Sequence, residues 1–120
     1  MNKKKSGVVH LLFALKWSLC GLLAAVRHEA AFRHDLILVI VNLIGLWIID
    51  APLGIKFTVF CLGGVLLAVE LLNSSIEAVV DLVSPGRHEL AKRAKDMGSA
   101  SVFCIIVLIV VGWIIMLACV

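Results

Sequence analysis

Three long apolar segments constrain this chain more than any other feature of its sequence. They are residues 36–49, 53–69 and 102–120. The last has 19 residues without a charge, and as a helix it covers about 28 Å, close to the thickness of a bilayer's hydrocarbon core. A water-soluble domain would need a polar surface to cover such helices, yet only 16% of the 120 residues are charged. The sequence therefore predicts an all-α membrane protein with a single domain over residues 1–120.

The distribution of basic residues predicts the orientation in the membrane. Ten of the eleven Lys and Arg residues lie in 1–33 or 87–95, and Lys56 alone lies near the short loop at 50–52. Cytoplasmic loops carry the excess of basic residues, so the N-terminus is expected in the cytoplasm. We predict a surface helix at about 8–27 and transmembrane helices at about 30–49, 53–72 and 100–120.

The N-terminal segment is predicted to lie along the membrane surface. Apolar residues recur there at helical spacing, while His10, Lys16 and Arg27 fall largely on other faces. This pattern is typical of an amphipathic helix in the interface plane. Lys3–Lys5 resembles the start of a signal peptide, but His10 and Lys16 interrupt the apolar run that would follow, so that interpretation is rejected.

Several classes of site are excluded by what the sequence lacks. The four cysteines form no CxxC pair, so we expect buried small apolar side chains rather than a zinc site or a disulfide framework. Neither GxxxxGK[ST], GxGxxG nor HExxH occurs. The net charge of +3 is too weak for a nucleic-acid footprint and suits a membrane surface.

A polar stripe follows the second apolar segment in ELLNSSIEAVVD, residues 70–81. At 100° per residue, Asn73, Glu77 and Asp81 stay on the same side of the helix as Glu70. Carboxylates near hydrocarbon are costly, which favours a working site at Glu70 and Glu77, although Asp81 also fits a solvated helix extension.

Glu70 and Glu77 are two turns apart, about 10 Å along the axis, so one magnesium ion does not suit both. A second helix should supply the other ligand, and Glu29 is the best candidate. The alternative for Glu29 is a surface ion pair with Arg33. The bases of 92–95 are typical topology determinants that also lie on the side where they can bind phosphates.

Three blocks of the sequence, EAAFRHD, ELLNSSIEAVVD and HELAKRAKDMGSAS, resemble the small integral-membrane diacylglycerol kinases of bacteria, a family that includes undecaprenol kinases. The resemblance covers nearly the whole chain. It implies a homotrimer with three spans per chain and a surface helix. It also implies transfer of the γ-phosphoryl group of MgATP to a lipid hydroxyl, at sites between subunits.

The resemblance also implies roles for individual residues. Glu70 matches the general base and Asn73 a polar residue beside it. Glu29 and Glu77 match the magnesium ligands. The expected nucleotide contacts are Lys95 and Asp96, with Glu29 and Glu77 acting through the metal and with His10 and Trp17 at positions where members carry an arginine and a tyrosine. The expected lipid contacts are Ala30, Ser99 and Trp113.

The predicted function is phosphorylation of 1,2-diacylglycerol to phosphatidic acid in phospholipid recycling, at the bacterial inner membrane. KDMGSA, residues 95–100, resembles the diacylglycerol branch of the family. Undecaprenol is the alternative acceptor. Other classes are a small proton-coupled transporter that uses Glu70 and a non-enzymatic scaffold, but neither explains why the acids cluster beside Lys and Arg at one end of the membrane.

Overall fold

The protein is all-α. The structure, a computed structural model, describes residues 6–120, and within that range it consists of four helices. They are α1 (Ser6–His28), α2 (Ala30–Ile48), α3 (Leu53–Val83) and α4 (Glu89–Ala118). All four are long and apolar enough to cross a membrane. The predicted all-α membrane fold is confirmed at this level, while Lys3–Lys5 lie outside the described residues.

The helix boundaries follow the residues that interrupt a helical backbone. Glu29 has an extended backbone, and it alone separates α1 from α2. Pro52 precedes the first residue of α3, where its fixed φ and missing N–H do no harm. α3 ends at Val83, directly before Ser84 and Pro85, because proline cannot continue a helix and restricts the residue before it.

Two helices extend beyond the predicted membrane spans. α3 continues eleven residues past position 72, and α4 begins eleven residues before position 100. The His88 side chain accepts a hydrogen bond from the Leu90 backbone N–H at 3.1 Å and so caps the start of α4. The two extensions, one from each helix, lie on the side of the predicted spans that carries the polar stripe and the basic residues.

α3 is the central helix, and α2 and α4 each pack against it. The apolar core lies at the end near the 49–52 loop, where Leu46, Val59 and Met116 are buried together. Gly112 allows α4 to approach α3 closely, since a Cβ there would lie 2.6 Å from Cγ2 of Val59. Small residues commonly permit such close packing between membrane helices.

Two long basic side chains stabilise the ends of the helices. Lys56 donates from Nζ to the Ile49 carbonyl at 2.9 Å and closes the loop between α2 and α3. Arg33 donates from Nη1 to the carbonyls of Val26 and Arg27, at 3.0 and 3.3 Å. Cations stabilise helix C-termini because the last carbonyls lack partners within the helix. Arg33 thus ties α2 to the end of α1.

α1 projects from the other helices. Among its described residues only Ala25, near its C-terminal end, is buried. Phe32, just beyond the bend at Glu29, is also buried. The contacts of α1 with α2 and α3 are therefore concentrated at its end, and most of its apolar surface is exposed on the isolated chain.

The expectation of buried cysteines is wrong for the isolated chain. Cys20, Cys61, Cys104 and Cys119 are all free and exposed. The physical reason is the solvent, because apolar side chains of membrane helices can face lipid as readily as protein. An apolar neighbourhood in the sequence therefore does not indicate burial here.

Candidate functional site

The polar stripe of α3 is buried among the helices at its start. Glu70 and Asn73 are only 3% and 8% exposed, and Ser74 is buried beside them. Glu77 is half-buried one turn further, and Asp81 is exposed. A carboxylate and an amide so thoroughly removed from solvent are expensive in a membrane protein, which is why such groups mark working sites.

Asp35 of α2, which no sequence pattern indicated as a site residue, completes this buried group. It is 7% exposed. The side chains of Asp35 and Asn73 lie beside the carboxyl group of Glu70. One oxygen of Asp35, Oδ2, is buried without a hydrogen-bond partner. Two acidic groups from neighbouring helices therefore meet at one point, with acceptor capacity left over for a hydroxyl group.

Gly98 of α4 forms the wall behind Asn73. A Cβ at Gly98 would overlap Oδ1 of Asn73, an atom that is itself buried without a partner. The bare glycine backbone thus gives the amide the space it occupies beside Glu70. The Ser101 hydroxyl donates to the Gly98 carbonyl at 2.6 Å, so its hydrogen-bonding capacity is used within α4.

Charged residues gather where α3 and α4 continue past the buried group. Lys95 donates to Asp81 at 2.5 Å and joins the two helices. Lys92 donates to Asp96 at 2.6 Å along α4. The Asp81 carboxylate, through this hydrogen bond, raises the pKa of Lys95, so its ammonium group stays charged well above neutral pH.

A cavity of about 690 Å³ opens among these charges. It lies between the end of α3, the loop of residues 84–88 and the first turns of α4. Its lining carries both signs of charge, with the bases Arg87, Lys92 and Lys95 and the acids Asp81, Glu89 and Asp96. Lys95 and Asp96, predicted to contact a nucleotide, both line it. The guanidinium and ammonium groups in this lining are groups that bind phosphate.

The two predicted metal ligands lie on different helices. Glu29 is half-buried at the N-cap position of α2 and makes no side-chain capping hydrogen bond. Its alternative partner Arg33 bonds instead to carbonyls of α1. Among residues 6–120, the structure brings no three His, Cys, Asp or Glu side chains close enough to hold a metal ion. A metal site within one chain would therefore have fewer than three such ligands.

The remaining predicted site residues are not part of the buried group. His10 and Trp17 are exposed on α1, and Ala30 and Ser99 are exposed on α2 and α4. Trp113, near the other end of α4, is half-buried, and its Nε1–H donates to Oδ1 of Asn42 at 2.7 Å. Sequence reasoning also missed Asn42, although it is the one strongly polar residue in an otherwise apolar run.

Comparison with known proteins identifies the family. The family model of the prokaryotic diacylglycerol kinases matches residues 16–117. A diacylglycerol kinase of Pseudomonas aeruginosa is 44% identical over 111 residues, which cover 92% of this chain and 90% of the relative. This chain belongs to the prokaryotic diacylglycerol kinase family.

Two further relatives support the assignment over the full fold. A diacylglycerol kinase of Haemophilus influenzae is 43% identical over 92% of this chain and 93% of its own. One of Escherichia coli K12 is 37% identical over 98% of this chain and 96% of its own. The family match includes Asp35, Glu70, Asn73 and Lys95, whereas His10 lies before it. The predicted recognition of this family is confirmed.

Proposed function

We propose that this protein is a membrane lipid kinase that phosphorylates 1,2-diacylglycerol to phosphatidic acid with MgATP, in the recycling of phospholipids. Membership of the prokaryotic diacylglycerol kinase family and relatives named diacylglycerol kinase support this activity. A lipid alcohol would be the acceptor and ATP the phosphoryl donor. The segment KDMGSA, residues 95–100, resembles the diacylglycerol branch of the family and so favours diacylglycerol over undecaprenol, the second candidate acceptor.

One observation carries the proposal: the buried group, with Asp35 on α2 and Glu70 and Asn73 on α3, lies below the charged cavity between α3 and α4, so α3 belongs to both. From Glu70 to Asp81, α3 rises about 16 Å. A nucleotide in the cavity can therefore direct its terminal phosphate down towards Glu70. A diacylglycerol can present its hydroxyl at the same level while its acyl chains stay in the bilayer.

The chemistry proposed for the chain's own residues follows from this arrangement. Glu70 takes the proton of the primary hydroxyl, and the hydroxyl oxygen forms a bond to the γ-phosphorus. The bond between that phosphorus and the β,γ-bridging oxygen breaks, and ADP leaves with the electron pair. Asn73 orients the Glu70 carboxyl. Lys95 and Asp96 position the nucleotide, and the Lys95 charge balances the phosphate oxygens.

The carboxylates of Glu29 and Glu77 fit magnesium by their chemistry. Magnesium is usually held by one or two protein carboxylates together with substrate phosphates and water, rather than by an all-protein cage. Glu29 has no capping bond to give up. When bound, the ion would neutralise charge on the triphosphate, and Glu29 and Glu77 would hold it.

We also propose how the chain is arranged in its membrane. α1 lies along the cytoplasmic surface of the inner membrane, and α2, α3 and α4 cross it, with the N-terminus in the cytoplasm. The exposure of nearly the whole described length of α1 supports this placement. The functional unit is a homotrimer whose sites are shared between subunits. Ala30, Ser99 and Trp113 contact lipid, and His10 and Trp17 lie near the nucleotide.

A lipid phosphorylation assay tests the proposed function. The purified protein in mixed micelles should transfer phosphate from MgATP to diacylglycerol faster than to undecaprenol. Glu70→Gln should abolish transfer while ATP still binds, because only the base is removed. Asp50→Asn is the matched control, since it removes an exposed carboxylate at the opposite end of the bundle. Full activity of Glu70→Gln would remove Glu70 from the mechanism.

The metal assignment has its own test. Glu77→Gln should raise the magnesium concentration needed for half-maximal ATP binding, because one anionic ligand is lost. The binding measurement needs no turnover, so it separates metal affinity from catalysis. An unchanged magnesium requirement would contradict the assignment of Glu77.

A proton-coupled transporter remains the competing class. It would place an isolated acid near the middle of a span, whereas two buried acids meet here, on a helix that continues to a cavity lined by Arg87, Lys92 and Lys95 among acidic residues. Proton flux into vesicles without phosphorylated product would favour the transporter and refute the kinase.

A further inference from the structure

A second cavity is an open groove in the membrane-spanning part of the chain, where Leu38 and Val41 of its wall are 52% and 60% exposed. It has a volume of about 310 Å³ and lies between α2 and α4, with α3 as its base. Its walls are almost entirely apolar, with Leu38 and Val41 of α2, Leu66 of α3 and Ile106 of α4 among them. Asn42 and Trp113 also line it, and they are the only lining residues with a polar side chain.

The hydrogen bond between Asn42 and Trp113 fixes one end of this cavity. The indole Nε1–H donates to Oδ1 of Asn42 at 2.7 Å and holds the ring across Gly45. A Cβ at Gly45 would lie 2.7 Å from the indole ring, so only glycine leaves room for this position. On the other side, Nδ2 of Asn42 faces Gly63, where a Cβ would lie 3.4 Å away.

Nothing in the mechanism explains this buried asparagine. Its Nδ2 has no hydrogen-bond partner, although the residue is only 9% exposed. An unsatisfied amide in a membrane interior is costly. Its one hydrogen bond fixes the orientation of the largest side chain that lines the cavity.

The other end of the cavity leads to the candidate site. Leu66 lies one helical turn before Glu70 on α3, about 6 Å along the axis, and Leu38 lies one turn after Asp35 on α2. A lipid whose hydroxyl is at Glu70 therefore finds an apolar channel directly beneath it. The level of Val59, which packs against Gly112 next to Trp113, is about 16 Å below Glu70.

We propose that this cavity holds one acyl chain of the lipid substrate, and that Asn42 fixes Trp113 as its end wall, so that the pair sets the acyl length the enzyme favours. The inference rests on the proposed function, because it takes a lipid alcohol as the acceptor. Asn42 is a positioning residue here, acting through the indole. A chain shorter than the cavity gains contacts with each added methylene, whereas the part of a longer chain beyond Trp113 gains none.

The test is a series of diacylglycerols with increasing saturated acyl length, assayed for kcat/KM. In the parent protein kcat/KM should rise with each methylene that adds packing contacts in the cavity and then level off at a break point. Trp113→Ala should move the break point to longer chains. Trp113→Phe keeps a ring but loses the N–H donor, and Asn42→Leu keeps the volume but loses the acceptor. Both should move the break point in the same direction by a smaller amount.

Trp47→Ala is the matched control, since Trp47 lies in the same half of α2 as Asn42 but is 89% exposed. It should keep the parent's break point. A break point that stays unchanged in Trp113→Ala, or that Trp47→Ala moves equally, overturns the proposal. A parent that phosphorylates no diacylglycerol refutes the proposed function instead, so the two failures are distinguishable.

A binding measurement gives a result that does not depend on turnover or on a variant that fails to fold. In a protein with Trp17→Phe and Trp47→Phe, Trp113 alone fluoresces. Diacylglycerol brominated towards the end of one acyl chain should quench it more strongly than phosphatidylcholine brominated at the same position. Equal quenching by both lipids would overturn the inference. Absence of quenching by diacylglycerol, the result expected if a second copy of the chain fills the cavity, would also overturn it.

Discussion

Gly98→Ala should slow the reaction although Gly98 touches no substrate. The added Cβ would overlap Oδ1 of Asn73, and the amide is the more flexible of the two groups. Asn73 must then rotate away from the Glu70 carboxyl beside it, which prevents a hydrogen bond between them in the transition state. A hydrogen bond to a charged group contributes roughly 1.5–3 kcal/mol. If it is needed in the transition state, its loss lowers kcat by about 10- to 150-fold.

The assay is initial-rate phosphorylation of diacylglycerol in mixed micelles, with KM for ATP measured in parallel. KM should change little, because the overlap lies below the nucleotide cavity. Gly64→Ala is the control for adding a methyl group to a membrane helix, since a Cβ there meets no atom within 4 Å. A Gly98→Ala protein with unaltered melting temperature and kcat within twofold of the parent would refute the coupling of Gly98, Asn73 and Glu70.

Two other predictions concern stability and nucleotide binding. Gly112→Ala should destabilise the protein by roughly 1–3 kcal/mol through overlap with Val59, whereas Gly64→Ala should stabilise it by up to about 1 kcal/mol by favouring the helix. Thermal melting in detergent measures both effects, and equal shifts of the two melting temperatures would contradict the close packing at Gly112. Lys95→Met should raise KM for ATP by at least about tenfold through loss of a charge-assisted contact. Arg93→Met removes a base outside the cavity lining and should leave KM unchanged. Equal increases of KM in the two variants, at low and at high salt, would mean that Lys95 acts only through the overall charge of the protein.

The helices and their ends could be predicted from local features of the sequence. Apolar length identifies membrane helices, and Pro52 and Pro85 restrict where α3 begins and ends. The predicted membrane span ends at 72, where apolar character fades, while the stripe at 70–81 predicts that the helix itself continues, and it does so to Val83. Loss of apolar character marks where the solvent changes, and it does not end a helix that has no Gly or Pro to break it.

The candidate site was only half predictable. The Glu70 stripe follows from helical periodicity along one element. The burial of Asp35 depends instead on how α2 packs against α3, which no local pattern in EAAFRHD expresses. Arg33 likewise had an obvious partner in Glu29 at i−4, but the carbonyls at the end of α1 offered a better one. These contacts are decided by the bend between two helices, so they appear only in three dimensions.

The length of α3 explains how one small chain can join a membrane lipid to a soluble nucleotide. Its 31 residues extend about 46 Å, well beyond the roughly 30 Å of a hydrocarbon core. If Leu53 lies at the far interface, Glu70 lies about 26 Å along the helix, just inside the near one. The carboxyl is therefore held at the depth of a lipid hydroxyl, and the same rigid helix carries Asp81 out to the charged cavity. A break in α3 between Glu70 and Asp81 would no longer hold the carboxyl and the cavity at fixed distances along one axis. This is a physical reason why the helix that carries the polar stripe has no glycine or proline after position 64.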